Sequence, residues 1–135
     1  MEKYIVHPMI DHDSLPYWQH LREHKAQLQK CGGCGRLRFP PSPSCPYCGT
    51  LGGDWAPISG RGSIYSWTVI HAPVDPRLAS EVPFTVALVE LEEGPRVAGR
   101  LIGCNHEQIK SGMKVKARYD DLDNELTLLN FEPMV

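Results

Sequence analysis

Four cysteines arranged in two close pairs are the residues of this chain best suited to chemistry. Cys31 and Cys34 form one C-x-x-C pair, and Cys45 and Cys48 form a second pair after ten intervening residues. Two residues between cysteines let one tight turn point both sulfur atoms at a single ion, and zinc binds four thiolates in a tetrahedron. The spacing therefore predicts a zinc ribbon, with an iron site on the same thiolates as the alternative. Because the four cysteines would occupy all four coordination positions of the metal, we expect the metal to be structural.

None of the other candidate residues predicts a catalytic site. No candidate general base is evident near Cys104 in the sequence. We therefore predict that Cys104 is a small buried residue and not a nucleophile. The run from His20 to His24 matches the H-x-x-E-H motif of inverted zinc peptidases. The chain has no large helical domain to supply a substrate cleft, so we predict a solvated helix end there. The remaining histidines have no readable partners, and no Walker loop or dinucleotide fingerprint is present. These residues indicate a binding or scaffold protein.

Composition places the chain among ordinary globular proteins. It has 135 residues, of which 41% are apolar and 22% charged, and its formal net charge is −2. This length fits one compact domain or two very small ones, and the small net charge gives no general attraction to nucleic acid or anionic membrane. No apolar run approaches the roughly 18 residues of a membrane span. The start of the sequence has no apolar signal region, so we expect a cytoplasmic protein without disulfides.

The first part of the chain must position the cysteines. Ser14 can cap a helix that carries aromatic residues at helical spacing and ends near His24. A short strand precedes the first cysteine pair, and another follows it until two prolines stop it. These patterns predict an N-terminal helical segment over residues 1–30 and a zinc ribbon over residues 31–57.

From residue 58 the pattern changes to strands. The predicted strands cover residues 61–71, 84–91, 95–103, 113–119 and 125–131. Between the third and fourth strands, Asn105 can cap one short helix that stops at Gly112. This order is that of the OB-fold, a five-stranded Greek-key barrel, which we place over residues 58–135. The predicted fold class is mainly β, with an N-terminal helix, a rubredoxin-like zinc ribbon and a C-terminal five-stranded OB-fold barrel.

An OB-fold raises nucleic-acid binding as an alternative function. Such a site needs a basic groove and stacking aromatics, partly on the loop after the fourth strand. Here that loop carries four acidic residues between Asp120 and Glu125, which would repel phosphate. A basic row, which we interpret as a solvated face, is formed by Lys114, Lys116 and Arg118. The sequence therefore favours neither a nucleic-acid partner nor a membrane.

Several segments, taken in order, resemble the zinc-ribbon/OB-fold family of acyl-CoA-associated proteins, long classified as a domain of unknown function. They are LPYWQHLREH, CGGCGRLRFPPSPSCPYCG, SGRGSIYSWTVIHAPV, EVPFTVALVELEEGPRVAGRLIGC and IKSGMKVKARYDD. The resemblance runs from about Asp13 to Pro133, and its most specific part is the ribbon followed by GRGSIYSWTVIH. Members of this family are small non-catalytic subunits or fused domains that associate with thiolases, sterol-carrier-type aldolases, hydroxymethylglutaryl-CoA synthases and hydratases.

The resemblance implies an accessory subunit of an acyl-CoA-processing complex that is not an enzyme on its own. We expect a thiolase-type partner, with a sterol-carrier-type aldolase or an enoyl-CoA hydratase as the alternative, and a structural zinc on the four ribbon cysteines. Family members can help to form a CoA channel, which implies that CoA or acyl-CoA is bound jointly with the partner. The residues expected near CoA are Arg36, Arg38, Phe39 and Arg61. The residues expected to contact the partner enzyme are Tyr17, Trp18 and Leu21.

Overall fold

The computed structural model describes residues 6–134, which contain one α-helix, a three-stranded sheet and a closed five-stranded barrel. The helix α1 covers Leu15–Arg22. The strands of the small sheet are β1 (Gln27–Lys30), β2 (Leu37–Arg38) and β3 (Asp54–Pro57). The strands of the barrel are β4 (Arg61–Ile70), β5 (Phe84–Leu91), β6 (Arg96–Leu101), β7 (Lys114–Asp121) and β8 (Thr127–Pro133). The predicted fold class is confirmed. No helix among residues 6–134 is long and apolar enough to cross a membrane.

The small sheet brings the cysteine-bearing turns and the start of the barrel together. Its strand order is β2-β1-β3, and both pairings are antiparallel. Gln29 at the centre of β1 lies opposite Arg38 on one side and opposite Trp55 on the other. Because β1 leads directly into Cys31 and β3 leads into the barrel, this sheet fixes the cysteines relative to the barrel.

The barrel closes in the order β4-β5-β6-β8-β7. All its pairings are antiparallel except the short parallel contact between β6 and β8 at Leu101 and Phe131. Inward-facing side chains from every strand fill the interior, and the fully buried ones include Ile64, Val89, Val97, Val115 and Phe131. This alternation of inward apolar and outward polar residues is what the sequence pattern of the strands predicts.

Two glycines are required at the start of the barrel, where the chain passes close to Ala117 of β7 and Glu90 of β5. Gly60 has a φ of 83°, a left-handed conformation that side chains with a Cβ adopt at a cost. A Cβ on Gly62 would lie 2.5 Å from the carbonyl oxygen of Glu90, closer than any real Cβ contact. Only glycine therefore fits these two positions without a shift of the neighbouring strands.

Two local predictions about helices need correction. Ser14 has a helical conformation, and its hydroxyl accepts a hydrogen bond from the Asp11 N–H (3.1 Å), so its side chain does not cap α1. The helix itself ends at Arg22, close to the predicted end near His24, whose φ of 58° is left-handed. The helix expected after Asn105 is only a single 3₁₀ turn, His106–Gln108, capped by Asn105 as predicted. It stops there because the next residue, Ile109, is extended and buries its side chain in the core.

Candidate metal centre

The four cysteines of the two C-x-x-C pairs meet at one point. Their sulfur atoms all lie within 4.8 Å of one another, and none is in a disulfide. Cys31 Sγ is 3.5 Å from Cys48 Sγ, and Cys34 Sγ is 3.7 Å from Cys45 Sγ. A tetrahedron with metal–sulfur bonds of about 2.3 Å has sulfur–sulfur edges of about 3.8 Å. The two shortest separations match the edges of a tetrahedral zinc site, and the four thiols together are close enough to bind one ion.

Each cysteine pair is held by the same backbone turn. The N–H of Gly35 donates to the carbonyl of Cys31 (3.0 Å), and the N–H of Gly49 donates to the carbonyl of Cys45 (2.9 Å). Both glycines have positive φ angles, 75° and 81°, which glycine adopts without a steric penalty. The N–H of Tyr47 also points at Cys45 Sγ (3.4 Å). Two matching turns thus aim their sulfurs at each other from opposite sides.

The backbone around the thiols favours the ionised form that binds metal. N–H groups of Cys34 and Gly33 point at Cys31 Sγ and lower the pKa of that thiol to about 6. The side chain and backbone of Thr50 lower the pKa of the Cys48 thiol. Near Cys34 the Arg36 N–H also favours the thiolate, but burial and the surrounding thiols outweigh it and raise the pKa to about 11. Neighbouring thiols cannot all ionise without a cation, so metal binding would release protons.

The donor set determines what a bound metal could do. Cys31 and Cys45 are buried, whereas Cys34 and Cys48 are exposed. Four thiolates leave no coordination position for water or substrate, so a zinc ion here would join the two turns and would not activate a ligand. Within residues 6–134 this cluster is the one place where three or more metal-ligating side chains converge.

Arg38 is buried and hydrogen-bonds to segments that flank both cysteine pairs, an arrangement that we call the Arg38 clamp. It is 3% exposed, and its Nε donates to Gln29 Oε1 (3.2 Å) on β1. Its Nη2 donates to the carbonyls of Ser42 and Gly52, each at 3.0 Å. These acceptors lie beside the first cysteine pair and on both sides of the second pair. The guanidinium therefore holds the two metal-binding turns in register from within the ribbon.

The other residues expected near CoA lie in different environments. Phe39 packs against Tyr17, with ring centroids 5.4 Å apart. Arg36 is exposed, with its guanidinium 4.7 Å from the centre of the Tyr47 ring. Arg61 is also exposed and makes two hydrogen bonds to Glu92, at 3.0 and 3.1 Å. Only Arg36 and Arg61 remain accessible to a ligand, since Arg38 is buried and Phe39 contributes to the core.

The helix residues expected to contact a partner are mostly used by the chain itself. Tyr17 is 6% exposed and Leu21 is 0% exposed, and both belong to the hydrophobic core. Burial raises the pKa of Tyr17 well above its ordinary value. Trp18 is half-buried beside Tyr17. The prediction of a partner surface at Tyr17 and Leu21 is therefore corrected, because α1 packs its apolar face against the barrel and ribbon.

The two histidines of the H-x-x-E-H run point at different elements. His20 lies against Trp55 of β3, with ring centroids 5.6 Å apart. His24 stacks on Tyr119 of β7 at 5.1 Å, and its Nε2 is 3.0 Å from Asp121 Oδ1. The imidazoles thus join the helix end to the ribbon and to the barrel separately, and they do not form a peptidase metal site.

A polar cluster at the β7–β8 loop is absent from the sequence predictions. Asp123 is fully buried, and its Oδ2 lies 2.6 Å from Nε2 of His7. Its Oδ1 accepts the N–H groups of Glu125 and Leu126, both at 2.7 Å. Arg22 Nη1 donates to the Asp123 carbonyl at 3.2 Å. No local motif signals this arrangement, because His7 and Asp123 are 116 residues apart. The acidic loop thus shapes the fold by binding the N-terminal segment.

Cys104 is not part of the metal centre. It is partly buried against the hydrophobic core, and its thiol donates to the carbonyl of Asn105 at 3.5 Å. This placement agrees with its interpretation as a small core residue, and it makes Cys104 a matched control for the four cluster cysteines.

Comparison with known proteins assigns both parts of the fold. A family model described as the ChsH2 rubredoxin-like zinc ribbon domain matches residues 18–52. A second, described as the ChsH2 C-terminal OB-fold domain, matches residues 55–120. Among curated proteins, the chain is 39% identical to a DUF35 domain-containing scaffold protein of Pyrococcus furiosus. That similarity covers 74% of this chain and 73% of the archaeal protein.

Two longer relatives are named as enzyme subunits. The chain is 39% identical, over 95% of its length, to a probable enoyl-CoA hydratase alpha subunit of Thermomonospora curvata. It is 35% identical, over 96% of its length, to the 3-oxo-4,17-pregnadiene-20-carboxyl-CoA hydratase alpha subunit of Mycobacterium tuberculosis. The chain spans only 40% of the length of each of these proteins.

Solved structures show the same architecture. The chain superimposes on a chain of the Ltp2-ChsH2(DUF35) aldolase with a TM-score of 0.87 and 39% identity, covering 96% of this chain and 100% of that one. A DUF35 protein of unknown function from Sulfolobus solfataricus matches with a TM-score of 0.60 and 18% identity, covering 88% of this chain and 83% of that one, which shows a shared fold.

Replacing Cys45 by serine is expected to abolish metal binding and unfold the ribbon. A serine hydroxyl does not replace a thiolate on zinc, and structural zinc sites contribute an apparent free energy of about 10–16 kcal/mol to folding. Zinc content measured by elemental analysis should fall to background, and circular dichroism and proteolysis should report a disordered ribbon. Cys104→Ser is the control and should retain zinc. A metal-free Cys45→Ser protein with an intact ribbon would contradict the structural role.

Replacing Arg38 by lysine is expected to loosen the metal centre while the fold persists. A lysine ammonium cannot reach Gln29, Ser42 and Gly52 together in the planar geometry of the guanidinium. We expect a loss of about 1–3 kcal/mol in the free energy of unfolding and faster transfer of zinc to a chromogenic chelator. The exposed Arg36→Lys should change neither quantity. Equal zinc-release rates for the two variants would exclude the clamp.

Proposed function

This chain belongs to the DUF35 family of scaffold proteins with a ChsH2-type zinc ribbon and OB-fold, and we propose that it is a non-catalytic subunit of an acyl-CoA enzyme complex. The observation that supports this most directly is the closed four-cysteine centre, because four thiolates would leave a bound metal no coordination position for a substrate. The names of the relatives supply the substrate class, since two are subunits of enzymes that hydrate CoA thioesters. Because the chain covers only 40% of those relatives, substrate and partner are proposals for this chain.

We propose a hydratase- or aldolase-type enzyme as the partner. Both hydratase relatives are named alpha subunits, and the 39%-identical solved structure described above carries the name of an aldolase. The thiolase-type partner expected from the sequence resemblance stays an untested prediction, as does a cytoplasmic location. In this proposal the partner supplies the catalytic groups, and this chain supplies a rigid surface held by the metal centre.

We further propose that Arg61 contributes to CoA binding at the junction of ribbon and barrel. It lines a cleft of about 530 Å³ together with Lys25, Lys116 and Tyr119. The cationic side chains of Arg61 and Lys25 suit the phosphates of CoA, and the ring of Tyr119 suits its adenine. The Arg61 guanidinium is already oriented by Glu92, so a phosphate would compete with that carboxylate for an ordered donor. Arg36 is the second candidate, in a separate cleft beside Tyr47 and Pro95.

The alternative of nucleic-acid binding finds little support in the charges of the barrel. Lys116 lies 3.8 Å from Glu132, and Arg118 lies 2.9 Å from Asp120 and 3.6 Å from Glu132. Two members of the basic row are therefore paired with carboxylates along the same face. A phosphate backbone would meet both signs of charge there, which disfavours a polyanion.

Reconstitution tests the proposed role directly. The purified chain should not consume acyl-CoA alone, and it should coelute on size exclusion with Ltp2, the other named component of the aldolase complex, and raise its aldolase activity. The 39% identity to the chain of that complex makes Ltp2 a suitable first partner. Turnover of acyl-CoA by the isolated chain would contradict the proposal. It would also be contradicted if the chain bound neither Ltp2 nor any subunit that accompanies the hydratase relatives.

The role of Arg61 has a separate test in the reconstituted complex. Arg61→Ala should raise the KM for acyl-CoA about tenfold, the loss expected for one charge-assisted contact, and leave kcat little changed. Arg96→Ala is the control, because Arg96 is an exposed barrel arginine, 3.5 Å from Glu90, that does not line the Arg61 cleft. Equal KM values for the two variants would remove Arg61 from the CoA site.

A further inference from the structure

The turn that follows α1 contains a backbone conformation that side chains seldom adopt. Among residues 6–134, His24 is the one residue other than glycine with a positive φ, 58°. Its N–H donates to the carbonyl of Leu21 (2.9 Å), and the N–H of Lys25 donates to the carbonyl of His20 (3.1 Å). These bonds close a turn at the helix end, where glycine is the usual residue. A ring at this position has a conformational cost, so its contacts indicate what it does.

The imidazole of His24 is held on one face and at one edge. It lies parallel to the ring of Tyr119, with the two planes 9° apart and the ring centroids 5.1 Å apart. Its Nε2 is 3.0 Å from Oδ1 of Asp121, and the hydroxyl of Thr127 donates to the same oxygen. The Tyr119 ring is itself fixed, because its hydroxyl accepts the N–H of Ala26 at 2.9 Å. We call these two stacked rings the His24–Tyr119 pair, and both rings are positioned before any ligand binds.

The His24–Tyr119 pair lies in the cleft that contains Arg61. Both rings line this cleft of about 530 Å³ together with Lys25 and Arg61, and its volume is in the range of ligand pockets, roughly 300–1,000 Å³. The side chain of His24 stays 47% exposed, although Tyr119 covers one face and Asp121 contacts one edge. The opposite face of the imidazole is therefore the accessible one. An oriented aromatic face beside cationic groups is an arrangement that binds a nucleotide base and its phosphates.

We propose that His24 is a binding residue of this cleft and that its imidazole stacks on the adenine ring of CoA, while Lys25 and Arg61 bind the phosphates. This inference rests on the CoA site proposed above and assigns the nucleotide end of CoA to it. Because His24 already covers one face of Tyr119, a base on that side contacts the imidazole, and Tyr119 supports the imidazole from behind. A ring that is already oriented loses little conformational entropy when the base binds.

Two other roles for His24 make different predictions. A protonated imidazole could attract a phosphate by its charge, without stacking on the base. A purely structural imidazole would join the helix end to β7 through Asp121 and would not affect a ligand. Substitutions at position 24 separate these roles. Phenylalanine keeps an aromatic face without a charge, whereas asparagine tolerates a positive φ and can donate to Asp121 but has no ring.

Binding of adenosine 3′,5′-bisphosphate, the nucleotide end of CoA, to the zinc-loaded chain tests the stacking role. Isothermal titration should show that the wild-type chain binds this nucleotide. His24→Asn should raise the dissociation constant about tenfold, the loss expected for one base–aromatic stack. His24→Phe should stay within about threefold of the wild type, because the aromatic face is kept. His20→Asn is the matched control and should bind like the wild type, since His20 lies against Trp55 and does not line the cleft.

Each result decides the role of His24. Zinc content and circular dichroism establish that every variant is folded before its affinity is measured. Binding that weakens in His24→Asn and persists in His24→Phe would support stacking. The proposal would be overturned if the wild-type chain did not bind the nucleotide, if His24→Asn bound as tightly as the wild type, or if His24→Phe bound as weakly as His24→Asn. The KM of Arg61→Ala in the reconstituted complex tests the CoA site separately, so loss of the stacking role leaves that proposal standing.

Discussion

The convergence of four thiols on one tetrahedral point is the constraint on which the ribbon depends. The ribbon has only three short strands, and β2 contains two residues. So few residues bury little apolar surface, and small domains of this kind rely on a metal for much of their folding free energy. The sulfur–sulfur distances of 3.5 and 3.7 Å show that the backbone already holds the thiols at the spacing that a zinc ion requires. The buried Arg38 supports this arrangement through its hydrogen bonds to Gln29, Ser42 and Gly52.

The helix and its flanking residues connect the metal-binding ribbon to the barrel. Leu21 lies fully buried in the shared core, while Arg22 and His24 reach residues of β7 and β8. His20 contacts Trp55 on the ribbon side. These contacts make ribbon and barrel parts of one packed unit. The proposed role as a subunit of a larger enzyme requires surfaces in fixed relative positions, and this connection fixes ribbon and barrel relative to each other.

The arrangement of the described side chains favours a structural role for the metal centre. The four cysteines would fill every coordination position of a bound zinc ion, and His7, His20 and His24 contact carboxylates or aromatic rings in separate places. The accessible features are instead the cleft lined by Arg61, Lys25 and Lys116 and the exposed side chains of Tyr65 and Trp67 on β4. Accessible groups of these kinds support the proposed role of the chain as a subunit that binds other molecules.

The sequence by itself determined the metal centre and the order of strands, because both follow from local rules. Spacing within each C-x-x-C pair fixes which sulfurs can share an ion, and the alternation of apolar residues fixes which side chains face the barrel interior. Tertiary structure alone decided which accessible residues remain for binding. Tyr17 and Arg38 became buried, and His7 met Asp123 across 116 residues. Such contacts depend on where distant elements pack, and no pattern within one segment encodes that geometry.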